Sequence, residues 1–314
     1  MANGLHFTYK YMAKKTRATV SVIINTKNEE KDIKSCIESV RGLADEIIVA
    51  DMKSTDRTVE IAKKMGARIL SVKDYGYVEP ARMYAIDKAK GDWVAIVDAD
   101  EHLTPTLIQE LRRIVAENQY DAVEMPKKNM ILKRWMQHTA WWPDYLVRFF
   151  KKGYVQWPDV IHSAPIIKGR IYTLPAEERF AIVHYNLQTI DEVIEKITRY
   201  SRKESDEVVS QFDSIDDLLA YTSKDFLWRF VDKEGYKDGM RGYIMSEMMR
   251  LYRLLIFVNY WEKKGYPELK GLKKYADSFI KKADESIEPV VTVPPTFPDM
   301  FRKIFKKKTS KKIT

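Results

Sequence analysis

An uninterrupted apolar segment in the first third of the chain ends directly in acidic residues. Residues 93–97, Trp-Val-Ala-Ile-Val, are followed by Asp98, Asp100 and Glu101. A short apolar run of this kind predicts a central parallel strand, and open α/β sheets bind ligands at the carboxyl ends of such strands. Residues two apart on a strand point to the same side, so both aspartates can face one hard divalent cation that also holds a diphosphate. The alternative interpretation is two solvated carboxylates at a strand end.

Strand and helix patterns alternate around this segment. Apolar, β-branched runs predict three further strands, at residues 19–25, 46–51 and 67–72. Helical patterns lie between and after them, at residues 31–42, 54–66 and 82–90 and from residue 104 onward. Because this alternation runs through the first hundred residues, we predict an α/β fold with a doubly wound, mostly parallel, Rossmann-like sheet.

The pattern changes in the rest of the chain. Short strands and aromatic-rich loops begin near residue 121, and long amphipathic segments dominate from Ile190. The stretch 240–261 is mostly apolar but is interrupted by charges, which predicts a helix that does not span a membrane. The predicted divisions are an extension at 1–17, a catalytic domain at 18–188 with a nucleotide half at 18–120 and an acceptor half at 121–188, a C-terminal helical region at 189–288, and a Pro-containing linker with a basic tail at 289–314.

The single cysteine and the net charge of +9 limit the class of protein. Cys36 excludes an internal disulfide framework and fits a reducing compartment. The first 17 residues lack the pattern of a signal peptide. No helix-turn-helix, zinc or RNA-recognition signature accompanies the positive charge, so we expect no nucleic-acid partner.

Much of the positive charge lies in the tail. Residues 301–308, Phe-Arg-Lys-Ile-Phe-Lys-Lys-Lys, alternate apolar residues with cations and are followed by Lys311 and Lys312. This pattern predicts a peripheral anchor on an anionic membrane surface, at the cytoplasmic face of the cell membrane. A solvated, disordered tail is the alternative.

Several motifs in fixed order resemble glycosyltransferase family 2. They are residues 21–30 (SVIINTKNEE), 44–51 (ADEIIVAD) with 54–58 (STDRT), and the Asp-Ala-Asp-Glu strand end. Residues 137–144 (QHTAWWPD), 148–150 and 235–242 (GYKDGMRG) resemble the branch that contains lipopolysaccharide-core and polysaccharide glycosyltransferases. The resemblance covers roughly residues 18–265. It implies a GT-A fold, a nucleotide-sugar donor and an inverting transfer.

The resemblance implies a nucleoside pocket lined by Thr26, Glu30 and Asp51, in which Asp51 accepts a hydrogen bond from a uracil ring. Arg82 would lie near the base and ribose, where a guanidinium can stack or donate hydrogen bonds. The structural alternatives are a helix cap for Glu30, a strand-end turn for Asp51 and a surface cation for Arg82.

The metal ligands are assigned on the same ground. Asp100 would bind Mn²⁺ or Mg²⁺ directly, and Asp98 would approach the ribose, the metal or a water in its shell. His162 stands where relatives often carry a His-Glu pair and could complete the metal shell, although Ser163 replaces the glutamate. His184 also matches a recurring histidine of the family, but a core histidine is an equal alternative.

The chemistry also requires a carboxylate that takes the proton of the acceptor hydroxyl. Asp144 is the leading candidate because it ends the Trp-Trp-Pro-Asp segment, and Asp159 is the reserve. Asp144 could instead be a structural partner of Arg148. His138 could likewise be either a site residue or a structural histidine.

These inferences predict an inverting, metal-dependent glycosyltransferase. It would move a sugar from a nucleotide-sugar, favoured as a UDP-sugar, to a hydroxyl of a glycan acceptor, favoured as lipid-linked. One alternative is a sugar nucleotidyltransferase, although the chain lacks a glycine-rich phosphate loop near the first strand. The other is a non-catalytic scaffold, for which only Ser163 argues.

Overall fold

The computed structural model describes residues 17–74, 79–158, 165–206 and 212–278. The predictions for the N-terminal extension, for Asp159 and His162, and for the linker and basic tail concern residues outside these ranges, apart from residue 17 of the extension.

Thirteen strands are found in the described residues. The first group comprises β1 (Val20–Thr26), β2 (Glu46–Asp51), β3 (Arg68–Ser71), β4 (Trp93–Asp98) and β5 (Glu101–His102). The second comprises β6 (Ala122–Met125), β7 (Lys127–Ile131), β8 (Arg134–Trp135), β9 (Leu146–Lys151), β10 (Val155–Gln156), β11 (Ile166–Ile167), β12 (Ile171–Thr173) and β13 (Ile182–His184).

Seven of these strands form one sheet in the order β12-β6-β9-β4-β1-β2-β3. The strands β4, β1, β2 and β3 are parallel, and β9 is antiparallel to both β4 and β6. The strands of the predicted acceptor half therefore extend the same sheet that carries the nucleotide half. A second sheet, β5-β13-β7-β8, stands beside the end of β4.

Helices cover both faces of the large sheet. The helices of this part are α1 (Ile33–Val40), α2 (Thr58–Lys64), α3 (Glu79–Lys88) and α4 (Pro105–Glu117). One core packs residues of α1, α2 and α4 against β1 and β4, and the other packs Ala85 and Ile86 of α3 on the opposite face. This confirms the doubly wound, mostly parallel α/β fold. Thr104 caps α4 as the sequence indicates, because its hydroxyl accepts a hydrogen bond from the Leu107 amide.

A helical region follows β13. It contains α5 (Ile190–Glu204), α6 (Ile215–Leu227), a π-helical turn at Trp228–Asp232, a 3₁₀ turn at Gly235–Asp238, and α7 (Met240–Lys263). Its core joins Val193, Ile197 and Met245 to Ile131 and Met136 of the sheet part. In the described residues no helix has the length and apolar character that a membrane crossing requires.

Candidate active site

The carboxyl ends of three neighbouring strands bring the predicted residues together. In the parallel registers, Thr26 at the end of β1 lies opposite Asp51 of β2, and Asn25 lies opposite Asp98 of β4. Asp100 follows β4 by two residues. Residues separated by up to 75 positions in the chain, from Asn25 to Asp100, thus share one edge of the sheet, which is where the strand order predicts a ligand.

The end of β1 holds buried polar atoms that no described residue satisfies. The Thr26 hydroxyl and both amide atoms of Asn25 are buried and have no hydrogen-bond partner in the described structure. A buried polar atom without a partner costs about 1–3 kcal/mol, so such atoms mark a place where a ligand or water completes the bonding. Asn25 is an addition to the predicted residues. The sequence feature that could have identified Asn25 is its place inside the motif at residues 21–30.

Asp51 and Glu30 also make structural contacts. The Ser54 amide donates to both carboxylate oxygens of Asp51, at 3.1 and 3.3 Å, which forms the strand-end turn. The carboxylate of Glu30 accepts from the Arg57 amide at 3.2 Å, at the start of α2. Each carboxylate therefore shapes the loop beside the nucleotide edge, and their contacts with a nucleotide remain predictions.

Asp98 lies between two arginines. Arg148 Nη2 donates to Asp98 Oδ2 at 3.1 Å, and Arg82 Nη2 lies 3.7 Å from Oδ1. Burial acts to raise the pKa of Asp98, but the two guanidinium groups outweigh it and hold the pKa well below its usual range. Arg82 is buried, and its guanidinium lies 4.6 Å from the centre of the Trp157 ring. Arg82 is therefore no surface cation, and Asp98 fixes it at the edge of the sheet.

Asp100 faces a histidine from the second sheet. His184 Nε2 lies 3.2 Å from Asp100 Oδ2, and His184 Nδ1 lies 2.6 Å from Asn129 Oδ1. The Asn129 amide nitrogen donates to the Trp141 carbonyl and to Asp144 Oδ2, so its oxygen is the acceptor and His184 Nδ1 carries the proton. In the tautomer that carries its single proton on Nδ1, His184 turns the lone pair of Nε2 towards a carboxylate oxygen. The two acceptors require a proton or a cation between them.

Asp144 contacts Asn129 and Lys127. It follows the cis peptide bond between Trp142 and Pro143. Its Oδ2 accepts from Asn129 Nδ2 at 2.8 Å and lies 3.3 Å from Lys127 Nζ. The alternative in which Asp144 pairs with Arg148 is wrong, because Arg148 reaches from β9 to Asp98 at the end of β4 instead.

The loop that leads to Asp144 is fixed to the helical region by Asp238. The carboxylate of Asp238 accepts from the amides of Gln137 and His138, from the Thr139 hydroxyl at 3.0 Å, and contacts His138 Nδ1 at 3.2 Å. His138 is therefore a structural partner of Asp238.

A close contact between two glycines holds Asp238 in place. A Cβ added to Gly242 would lie 1.9 Å from the Gly235 carbonyl oxygen. Side chains larger than hydrogen are thus excluded at Gly242. This explains the glycine at position 242.

A further acidic side chain lies near Asp100. Burial and the charges of Asp100 and Asp32 raise the pKa of Glu29 to about 7. In the described part of the chain, no three His, Cys, Asp or Glu side chains form a group that could hold a metal. Among the described residues, Asp100 and His184 are thus the two side chains that could hold a metal at this point.

Comparisons with known proteins match a glycosyltransferase family model and proteins named as glycosyltransferases. Residues 21–172 match the model of glycosyl transferase family 2. An uncharacterized glycosyltransferase of Rickettsia typhi is 29% identical over 251 residues, which span 75% of this chain and 84% of the relative. The low-salt glycan biosynthesis hexosyltransferase Agl6 of Haloferax volcanii is 43% identical over 90 residues, 26% of this chain and 21% of that protein.

A solved structure matches a smaller part. Glucosyl-3-phosphoglycerate synthase from Mycobacterium tuberculosis, crystallised with Mn²⁺, UDP and glucosyl-3-phosphoglycerate, is 29% identical with a TM-score of 0.31. The alignment covers 36% of this chain and 43% of the synthase.

Proposed function

Through residues 21–172 the chain belongs to glycosyltransferase family 2 and is a glycosyltransferase, and we propose that it is inverting and metal-dependent, with a UDP-sugar donor. The acceptor we propose is a hydroxyl of a glycan, carried on a lipid and elongated in polysaccharide or lipopolysaccharide synthesis.

The observation that carries the metal dependence is the pairing of His184 Nε2 with Asp100 Oδ2. The Nε2 nitrogen and the Oδ2 oxygen lie 3.2 Å apart. Two ligand atoms at right angles, each about 2.1 Å from a divalent cation, are about 3 Å apart, so this spacing fits a cation in front of both. Bound there, Mn²⁺ or Mg²⁺ would supply positive charge to the donor diphosphate.

This assignment changes the predicted metal site. Asp100 keeps its role, and His184 takes the place beside it. Asp98 is engaged by Arg148 and Arg82, so we assign it to holding these arginines near the ribose and phosphates. Direct ligation by Asp98 or His162 remains a prediction.

The nucleoside would occupy the edge formed by β1 and β2. The Thr26 hydroxyl and the Asn25 amide, which have no partner among the described residues, would supply donors and acceptors, and the Asp51 carboxylate would accept from a ring N–H. Arg82, stacked on Trp157, adds a planar cation for the ribose or base. These groups suit a uridine nucleotide.

Asp144 is the proposed base. The acceptor oxygen forms its bond to the anomeric carbon as the bond to the diphosphate breaks on the opposite face, and the hydroxyl proton passes to the Asp144 carboxylate. The contacts with Asn129 and Lys127 fix the carboxylate near Asp100 and His184. Asp159 remains the reserve.

The lipid-linked acceptor is supported by an exposed apolar corner of the helical region. The exposed side chains there are Leu227, Trp228, Val231, Tyr236, Met240 and Tyr243. Lys233 lies over the Trp228 ring at 5.5 Å, and Arg229 donates to the Thr139 carbonyl in the loop before Asp144. Apolar rings beside cations suit the headgroup region of an anionic membrane. Peripheral attachment at the inner face of the cell membrane, aided by the tail, is part of the proposal.

A ligand-binding panel tests the function. Thermal shift and calorimetry would compare UDP, other nucleoside diphosphates and UDP-sugars, with and without Mn²⁺, on the wild-type chain, Asp100→Asn and the control Asp87→Asn. We expect metal-dependent stabilisation by UDP that Asp100→Asn abolishes and Asp87→Asn retains, since only the native state binds the ligand.

Three results would overturn the proposal. Stabilisation by UDP that is independent of metal would remove the metal role. If no nucleotide binds, the chain is a non-catalytic scaffold. Release of pyrophosphate from a nucleoside triphosphate and sugar phosphate would instead identify a nucleotidyltransferase.

A further inference from the structure

Lys196 of α5 carries a positive charge that the roles described above do not use. It lies between Val193 and Ile197, which pack in the core of the helical region. Its ammonium donates to Asn186 Oδ1 at 2.8 Å and forms no ion pair with any residue of the described ranges. An ammonium has three donors, so one neutral amide satisfies a third of them.

The partner of Lys196 belongs to the segment that forms the Asp100–His184 pair. Asn186 follows His184 by two residues, and the Tyr185 amide between them donates to the Asp100 carbonyl at 2.8 Å. Asn186 is itself buried. The segment 184–186 thus places His184 against Asp100 and, through the side chain of Asn186, binds the ammonium of Lys196.

The charges that act on Lys196 are those of the same site. Burial lowers the pKa of Lys196, and Lys127 and Arg199 act in the same direction. Asp100 and Asp98 act against this because they attract the ammonium. The ammonium is therefore within electrostatic reach of both strand-end aspartates without pairing with either.

We propose that Lys196 binds the diphosphate of the nucleotide-sugar donor beside the Asp100–His184 pair. The inference rests on the proposed function and names a further residue for it. When the bond between the anomeric carbon and the diphosphate breaks, the bonding electrons stay on the leaving oxygen, and a nearby ammonium stabilises that charge. The helical region then contributes a group to the active site in addition to supporting it.

The test separates binding of the phosphates from binding of the nucleoside. Titration calorimetry with Mn²⁺ would compare UDP and uridine on the wild-type chain and on the variants Lys196→Met, Lys196→Gln and Lys196→Arg. Lys224→Met, on the exposed side of α6, is the matched control because it removes a lysine of the helical region away from the site. Melting temperatures would establish that each variant is folded, and Lys196→Gln keeps a polar group for Asn186 if Lys196→Met fails to fold.

We expect Lys196→Met and Lys196→Gln to weaken UDP binding by about tenfold, the loss of one charge-assisted hydrogen bond, and to leave uridine binding unchanged. Lys196→Arg should recover part of the loss, and Lys224→Met should match the wild type. Equal weakening of UDP and uridine would overturn the proposal, as would unchanged UDP affinity with a raised KM for the acceptor, which would assign Lys196 to the acceptor. Failure of the wild-type chain to bind UDP in a metal-dependent way would instead overturn the proposed function.

Discussion

The proposed donor side of the site lies at the carboxyl ends of β1, β2 and β4, and the proposed acceptor side is the loop that ends at Asp144. They differ in how far described residues satisfy their polar groups. On the donor side, Thr26 and Asn25 hold buried polar atoms that have no partner in the described structure. On the acceptor side, Asn129 and Asp238 use their polar groups in bonds to the loop that ends at Asp144, although Trp141 Nε1 in that loop is also buried without a partner among the described residues. Unsatisfied atoms favour a ligand that completes them, whereas satisfied atoms fix a geometry in advance. In the proposed function, the nucleotide would complete the bonding of Thr26 and Asn25, whereas the carboxylates of Asp144 and Asp238 are held in place before binding.

The largest expected effect concerns the contact that fixes the acceptor side. Gly242→Ala places a Cβ against the Gly235 carbonyl oxygen and should lower the free energy of unfolding by about 3 kcal/mol or more, because backbone must move. Chemical denaturation would measure the change. Gly42→Ala is the control, since its Cβ meets only Ile108 side-chain atoms at 3.4 and 3.5 Å. Equal stability of the two variants would contradict the rigid contact.

The next effect tests the link between the two sides. Asn129→Ala removes the acceptor that fixes the proton on His184 Nδ1 and should weaken Mn²⁺ binding by about 10–100-fold. Mn²⁺ titration followed by electron paramagnetic resonance would measure the affinity. Asn259→Ala, in α7 and bonded to Ser201 and Leu255, is a matched control. An unchanged Mn²⁺ affinity in Asn129→Ala would contradict the role of His184 as a metal ligand oriented by Asn129.

A pair of identical substitutions addresses the comparison directly. Thr139→Val removes a hydroxyl that donates to the buried Asp238 and should cost about 1–3 kcal/mol of stability. Thr26→Val removes an unpartnered hydroxyl and should leave stability unchanged or slightly raised, while UDP affinity falls. Thermal denaturation and calorimetry would measure both. Equal losses of stability in the two variants would break the distinction between the two sides.

The smallest effect is a pH dependence on the donor side. The raised pKa of Glu29 means that the folded protein binds this proton more tightly than the unfolded chain, so stability is lost as the pH rises from about 4.5 to about 7. Glu29→Gln removes the penalty and should raise the stability of the metal-free protein at pH 8 by about 1 kcal/mol, with no gain at pH 4. Denaturation at both pH values would measure it. Glu38→Gln, at an exposed position, should change stability equally at both pH values. If Glu29→Gln behaves in the same way, the pKa of Glu29 is not raised by burial.

Most of the strands and helices predicted from the sequence follow from patterns among residues that are close in the chain. Continuous apolar runs identify β1, β2 and β4, and the Thr104-Pro105 cap marks the start of α4, because these signals depend on residues close in the chain. The same patterns separate an acceptor half from a nucleotide half. The structure joins them, because β9 pairs with β4 and brings Arg148 to Asp98. Pairing of this kind joins residues about 50 positions apart, which periodicity does not encode.

The sequence by itself determined the parallel sheet, the place of Asp98 and Asp100 at the end of a buried strand, and the family. Only the tertiary structure decided which partners these carboxylates have. Asp98 is neutralised by arginines of α3 and β9, Asp100 faces His184 of another sheet, and Asp144 is bound to Asn129 and Lys127. The physical reason is that strand and helix patterns follow from local hydrophobicity, whereas the charge and protonation of a side chain depend on groups brought near it by folding.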